Sequence, residues 1–139
     1  MPYYFDHSAT TPPHEDVVRT VSEIMARIYG NPSSLHRIGV EAEQLITKAR
    51  KVIAACLKVR PETLVFSSGG TESNNLAVKG IAFQYQNRGR HLITTEIEHA
   101  SVYESFKQLE SLGFEVTYLP VDQTGAVSLD ALRAAVRED

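Results

Sequence analysis

Apolar side chains recur every three or four residues in two N-terminal segments, which is the spacing of amphipathic helices. The first predicted helix covers residues 15–29 and places Glu15 and Asp16 in its first turn, where the helix dipole favours acidic side chains. The second predicted helix covers residues 40–58, and Cys56 lies on its apolar stripe. The pattern therefore predicts a buried, structural Cys56 rather than a reactive thiol.

Beyond residue 60 the pattern changes to short β-prone runs that alternate with helical segments. The predicted strands cover residues 63–66, 91–94 and 114–119. The predicted helices cover residues 71–86, 100–112 and 129–137, with a turn over residues 122–125 and Ser128 as the cap of the last helix. This alternation is typical of parallel β-α-β units. We therefore predict an α/β fold, with a loop and two helices in residues 1–60 and an α/β region in residues 61–139.

Composition narrows the functional classes. The 139 residues are 42% hydrophobic and 22% charged, as in soluble globular proteins. A net charge of -3 argues against direct nucleic-acid binding, and no apolar run approaches the ~20 residues of a membrane helix. The first residues lack the pattern of a secretory signal, so a cytoplasmic location is expected. A single cysteine allows no internal disulfide, and the five histidines lack zinc-ligand spacing, so no metal site is predicted.

A glycine pair, Gly69 and Gly70, stands between a predicted strand end and a polar helix start that includes Thr71. Glycines allow a close backbone approach, and the free N–H groups of a helix start attract anions, phosphate in particular. The motif is not a P-loop, because no Lys-Ser or Lys-Thr pair follows the second glycine. From the residues alone, a phosphate site and an ordinary turn with Thr71 as helix cap remain equally open.

His99 follows the second predicted strand, at the sheet edge where Gly70 and Thr71 are also expected. Its imidazole can stack on a ligand ring, relay a proton or cap the next helix, and a structural role is the more frequent one for a lone histidine. Residues 6–12 and 30–36 are rich in small and hydroxyl side chains around prolines, which is typical of turns.

Four segments, taken in this order, resemble the N-terminal part of a cysteine desulfurase of the NifS/IscS type, in the aminotransferase class V group of pyridoxal-phosphate enzymes. The matching segments are Asp6-x-Ser8-Ala9-Thr10-Thr11, Asn31-Pro32-Ser33-Ser34-x-His36, Gly70-Thr71-Glu72-Ser73-x-Asn75 and Glu98-His99. The resemblance covers essentially the whole chain. It implies the first β-α units of the large, cofactor-binding domain of a fold type I transferase, in truncated form.

The same resemblance implies roles for individual residues. Gly70 and Thr71 would bind the phosphate of pyridoxal 5'-phosphate, and His99 would stack on its ring and relay protons. Asn31 and His36 would lie near the substrate entrance of a homodimer. The reaction implied is conversion of L-cysteine to L-alanine, with the sulfur passed as a persulfide to an acceptor or scaffold protein for iron–sulfur cluster assembly, thio-cofactor synthesis or tRNA thiolation.

The family's Schiff-base lysine, expected in a Ser-x-His-Lys context, and its persulfide cysteine have no counterpart in this sequence. The chain is therefore expected to be about the first third of the family's usual length and to be inactive alone. By the same resemblance, the strand over residues 63–66 would lack its partners and the helix over residues 40–58 would keep apolar surface exposed. Two alternatives stay open: another class V enzyme, such as a selenocysteine lyase, and a non-catalytic phosphate-ligand-binding remnant or subunit.

Overall fold

The computed structural model describes residues 3–138. The predicted regions 1–60 and 61–139 also include residues 1, 2 and 139, which lie outside the described residues. The chain divides into two compact units, Met1–Val65 and Phe66–Asp139. Helices and a parallel strand pair form the structure, in agreement with the predicted α/β class. None of the helices in residues 3–138 is long and apolar enough to cross a membrane.

The first unit contains helix α1, Glu15–Arg27, and helix α2, Arg37–Leu57, followed by a short 3₁₀ helix, Pro61–Thr63. Both predicted helices are confirmed, although α2 begins three residues earlier than its periodicity indicated. Much of the apolar stripe of α2 is exposed, as the resemblance implied, with Val52 at 56% and Leu57 at 60% of their full accessibility.

The predicted burial of Cys56 is wrong, because its side chain is exposed. Ala54, two residues earlier and therefore on the other side of the helix, is 1% exposed. Helical spacing identifies the residues that share a face, but it does not tell whether anything covers that face. Cys56 therefore lies on an apolar stripe that is exposed within residues 3–65.

The predicted strand over residues 63–66 is also wrong. The sheet of the described residues has two strands, and this segment belongs to neither of them. Leu64 has extended backbone angles, φ −87° and ψ 131°, but its carbonyl accepts a hydrogen bond from the guanidinium of Arg50. β-prone residues favour an extended backbone, whereas a strand also requires a partner for its ladder of hydrogen bonds.

The second unit begins with helix α3, Gly70–Tyr85, and continues with strand β1, His91–Thr95, helix α4, Ala100–Ser111, and strand β2, Glu115–Leu119. The strands pair in parallel from His91 opposite Glu115 to Thr95 opposite Leu119, so the predicted β-α-β unit is confirmed. Helices α3 and α4 pack against each other. The core of this unit consists of Ala82, Leu109 and Phe114, with Val78 and Leu92 packed against them.

The chain leaves β2 through the predicted turn, which is confirmed. One carboxylate oxygen of Asp122 accepts the N–H groups of Thr124, at 2.8 Å, and Ala126, at 3.0 Å, and Gly125 takes a positive φ of 85°. Helix α5, Leu129–Ala135, then begins at Ser128, whose hydroxyl accepts the N–H of Ala131 at 3.3 Å. The predicted cap of the last helix is therefore also confirmed.

Candidate functional site

Helix α3 begins at an open turn. Its N-cap residue is Gly69, in extended backbone, and no side chain caps the helix. Among the described residues, no atom lies within 4 Å of the position that a Cβ would take on Gly69 or on Gly70, apart from the chain neighbours and, for Gly70, the backbone of its own helix. Thr71 is the second residue of the helix and is exposed, so the alternative in which Thr71 acts as the cap is wrong. No side chain accepts the first N–H groups of α3, and the Thr71 hydroxyl lies in the same turn of the helix.

Hydrogen bonds within residues 67–73 fix the shape of this turn. The hydroxyls of Ser67 and Ser73 lie 2.6 Å apart. The backbone N–H and the hydroxyl of Ser68 donate to the same carboxylate oxygen of Glu72, at 2.6 and 2.7 Å. These two donors lower the pKa of the Glu72 carboxyl, first through the hydroxyl and then through the backbone N–H. The negative charge in the first turn of α3 is thus held by Ser68.

Helix α4 begins at His99, whose ring is its N-cap. The Nδ1 atom of His99 accepts the backbone N–H of Ser101 at 3.1 Å and lies 2.8 Å from the Ser101 hydroxyl oxygen. The capping role among the three alternatives for His99 is therefore confirmed. Capping uses the lone pair of Nδ1 in the plane of the ring, and His99 is an exposed residue.

A side-chain hydrogen bond links the starts of α3 and α4. The amide Nδ2 of Asn74, one turn into α3, donates to the hydroxyl of Ser101 at 2.8 Å, and Ser101 is 9% exposed. The helix start that carries Gly70 and Thr71 is thereby tied to His99. The sequence did not indicate Asn74 or Ser101 as site residues. The matched motif leaves position 74 unspecified, and no sequence pattern distinguishes a serine two residues after a capping histidine.

Asn31 and His36 have local roles in the first unit. The side-chain oxygen of Asn31 accepts the N–H of Ser33 and its carbonyl accepts the N–H of Ser34, both at 2.9 Å, which confirms the predicted turn. His36 caps α2, because its Nδ1 accepts the N–H of Gly39 at 3.3 Å. A role for either residue at a substrate entrance stays a prediction.

Comparison with known sequences identifies the family. The aminotransferase class-V model matches residues 3–139. A NifS/IcsS protein homolog from Lactobacillus delbrueckii subsp. bulgaricus is 48% identical over 98% of this chain and 35% of its own length. A cysteine desulfurase IscS from Dictyoglomus turgidum is 45% identical over 98% of this chain and 34% of its own length. The chain thus spans about a third of the length of these curated relatives.

Solved structures agree with the sequence comparison. A NifS-like protein superposes with a TM-score of 0.95 at 42% identity, over 100% of this chain and 38% of the other. A structure described as SspA in complex with cysteine gives a TM-score of 0.88 at 40% identity, over 96% of this chain and 39% of the other. The fold is therefore that of the matching part of the NifS-like protein, and the chain belongs to the aminotransferase class-V family.

Proposed function

We propose that this chain supplies the phosphate-binding turn and the ring-contacting histidine of a pyridoxal-phosphate-dependent cysteine desulfurase. Class V aminotransferases depend on pyridoxal phosphate, and the curated relatives include proteins named cysteine desulfurase. One observation carries the proposal. The start of α3 has no side-chain cap, and Asn74 of the same helix ties it to the helix that His99 begins.

The donors at the start of α3 fit a phosphate. Among the α-helices of residues 3–138, α3 alone lacks a side-chain cap, since His14, His36, His99 and Ser128 cap the others. Backbone N–H groups at a helix start, together with the positive end of the helix dipole, favour an anion. The Thr71 hydroxyl adds a further donor. The open space at the two glycine Cα atoms allows a ligand to approach the backbone closely.

His99 fits a planar aromatic ligand. Its backbone position is fixed by the cap of α4 and its Nδ1 is occupied by Ser101, which leaves the ring faces for stacking. When bound, pyridoxal phosphate supplies an electron sink for the amino-acid substrate. The residues of this chain hold it in place: Gly70 and Thr71 bind the phosphate, and the His99 ring limits the orientation of the cofactor ring.

The substrate and the partners belong to the same proposal. The structure of SspA in complex with cysteine supports L-cysteine as the substrate class. The whole protein would release L-alanine and pass the sulfur as a persulfide to an acceptor or scaffold protein, as a cytoplasmic homodimer with Asn31 and His36 near the substrate entrance. We propose this activity for the whole protein rather than for residues 1–139 alone, because this sequence contains no lysine in a Ser-x-His-Lys context.

A turnover assay tests the proposal. The whole protein, loaded with pyridoxal phosphate, is incubated with L-cysteine and, in parallel, with selenocysteine and other amino acids, and L-alanine is quantified. We expect alanine from L-cysteine in preference to the other substrates. Bound cofactor without alanine formation contradicts the proposal, and a clear preference for selenocysteine identifies the alternative class V activity.

A further inference from the structure

We propose that Asn74 and Ser101 are positioning residues that hold the His99 imidazole in the tautomer with its proton on Nε2. The proposal rests on the proposed function, in which this ring contacts the cofactor. Neither residue need touch the ligand itself, because both act through the hydrogen bonds that converge on Nδ1 of His99.

The backbone determines the first step. The N–H of Ser101 points at Nδ1 of His99 with 3.1 Å between the nitrogens. A backbone N–H only donates, so Nδ1 must present its lone pair and carries no proton. The neutral imidazole therefore carries its proton on Nε2.

The Ser101 hydroxyl and the Asn74 amide follow from that constraint. The hydroxyl oxygen lies 2.8 Å from Nδ1, and because Nδ1 accepts, the hydroxyl must donate to it. A hydroxyl has one proton, so it can only accept from Asn74, whose amide nitrogen lies 2.8 Å away. The backbone N–H of Ser101 can only donate, and this fixes the direction of the other hydrogen bonds in the chain.

Burial makes the arrangement costly to disturb. Ser101 is buried and Asn74 is partly buried, so water does not readily replace either partner.

His36 provides an internal comparison, because its Nδ1 also caps a helix but takes one donor in the described residues, the Gly39 N–H at 3.3 Å. Because Asn74 extends from α3, it also orients the His99 ring relative to the helix that carries Gly70 and Thr71. The proton that this ring offers to the site is consequently the one on Nε2.

Imidazole tautomers are measured directly by two-bond proton–nitrogen correlation spectra of the whole protein labelled with ¹⁵N-histidine, with and without pyridoxal phosphate. We expect His99 to show the Nε2–H pattern. Ser101→Ala removes one donor and should shift the tautomer ratio toward Nδ1–H by about tenfold, the equivalent of one hydrogen bond. Asn74→Asp keeps the shape of the side chain, but its carboxylate can only accept. The Ser101 hydroxyl would then donate to this carboxylate instead of to Nδ1, and the ratio should shift in the same direction.

Two variants on α4 serve as controls. Ser105→Ala removes a hydroxyl that is 1% exposed and donates to the Ser101 carbonyl at 2.9 Å, without contacting His99, and the tautomer ratio should stay unchanged. Ser101→Thr retains the hydroxyl and should restore the wild-type ratio. An Nδ1–H pattern in the wild type, or unchanged ratios in both Ser101→Ala and Asn74→Asp, overturns the proposal.

The cofactor provides a second readout. Ser101→Ala and Asn74→Asp should shift the visible absorption band of the bound cofactor and lower kcat more than they raise KM. If the wild type binds no cofactor but Ser101→Ala and Asn74→Asp change the tautomer ratio as expected, the positioning role is supported and the proposed function is overturned. If the wild type is active but both variants keep the wild-type tautomer ratio, the proposed function is supported and the positioning role is overturned.

Discussion

Helices α3 and α4 pack against each other, yet they begin in opposite ways. At the start of α3 a glycine stands in the N-cap position and no side chain accepts the first N–H groups. At the start of α4 an imidazole accepts the N–H of Ser101, and a second side chain from α3 supports it. In the proposed function the first start keeps its donors for an anion, whereas the second start uses its donors to fix an aromatic ring.

The difference shows how one structural element serves two chemical purposes. Every helix start has unsatisfied N–H groups and a positive dipole end. Whether these groups bind a ligand or a side chain is decided by the residue at the cap, here Gly69 in one case and His99 in the other. Substitutions at the two starts should therefore separate ligand binding from helix stability.

The largest effect is expected at His99. His99→Asn retains a strong N-cap side chain but removes the ring, so turnover of L-cysteine should fall by about a hundredfold or more, the usual contribution of a positioned acid–base group. The thermal midpoint should stay near that of the wild type. His99→Ala should lose the cap as well, at about 1 kcal/mol of unfolding free energy. Wild-type turnover in His99→Asn contradicts the role proposed for the His99 ring.

The next effect is expected at Thr71. Thr71→Ala removes one hydrogen bond to a charged phosphate, worth about 1.5–3 kcal/mol, so the Kd for pyridoxal phosphate should rise by about tenfold to a hundredfold. Thr71→Ser keeps the hydroxyl and is the matched control. Equilibrium dialysis of the released cofactor measures both variants, and equal retention in wild type and Thr71→Ala removes Thr71 from the site.

A cap can also be added to α3. Gly69 has extended backbone and free space at its Cβ position, so Gly69→Asp and Gly69→Asn are sterically accommodated. Both should raise the unfolding free energy by about 0.5 kcal/mol or less, because glycine is only slightly worse than these residues as an N-cap. Both side chains compete with the phosphate for the first N–H groups of α3, and the charged variant should weaken cofactor binding by about a further threefold to tenfold through repulsion of the phosphate. Equal affinity of the two variants argues against an anion at this helix start.

The smallest effect is a pH dependence at Glu72. The pKa of this carboxyl is lowered because Ser68 donates two hydrogen bonds to it. The resulting stabilisation is complete above the pKa of the unfolded carboxyl and disappears as the pH falls through the lower pKa of the folded state. Thermal midpoints across the acidic range should therefore fall less steeply in Glu72→Gln than in wild type.

Local patterns predicted much of the fold. Residue periodicity predicted α1 and α2, and the alternation of strands and helices predicted the parallel pairing of β1 with β2. The errors concern what lies outside a local pattern. Cys56 shares a face with apolar residues, but that face is exposed within residues 3–65, and residues 63–66 have β-prone side chains but belong to neither strand of the sheet that the described residues form.

In the candidate site, too, local patterns indicate some residues, whereas others depend on how the helices pack. Gly70 and Thr71 stand at a helix start and His99 stands between a strand and a helix, so the sequence alone indicates them, although the strand predicted before Gly70 does not form. The hydrogen bond from Asn74 to Ser101 joins residues 27 positions apart, and it depends on the packing of two helices that no local pattern describes. A positioning residue of this kind therefore becomes visible only in the structure.

The short crossover between β1 and β2 has a kinetic consequence. Parallel strands generally pair slowly, because a long stretch of chain must be closed before any ladder bond forms. Here a single helix of 12 residues fills the crossover, so the entropy lost on loop closure is small. We expect α3, β1, α4 and β2 to assemble from neighbours in chain order as they leave the ribosome, before any more distant segment is needed.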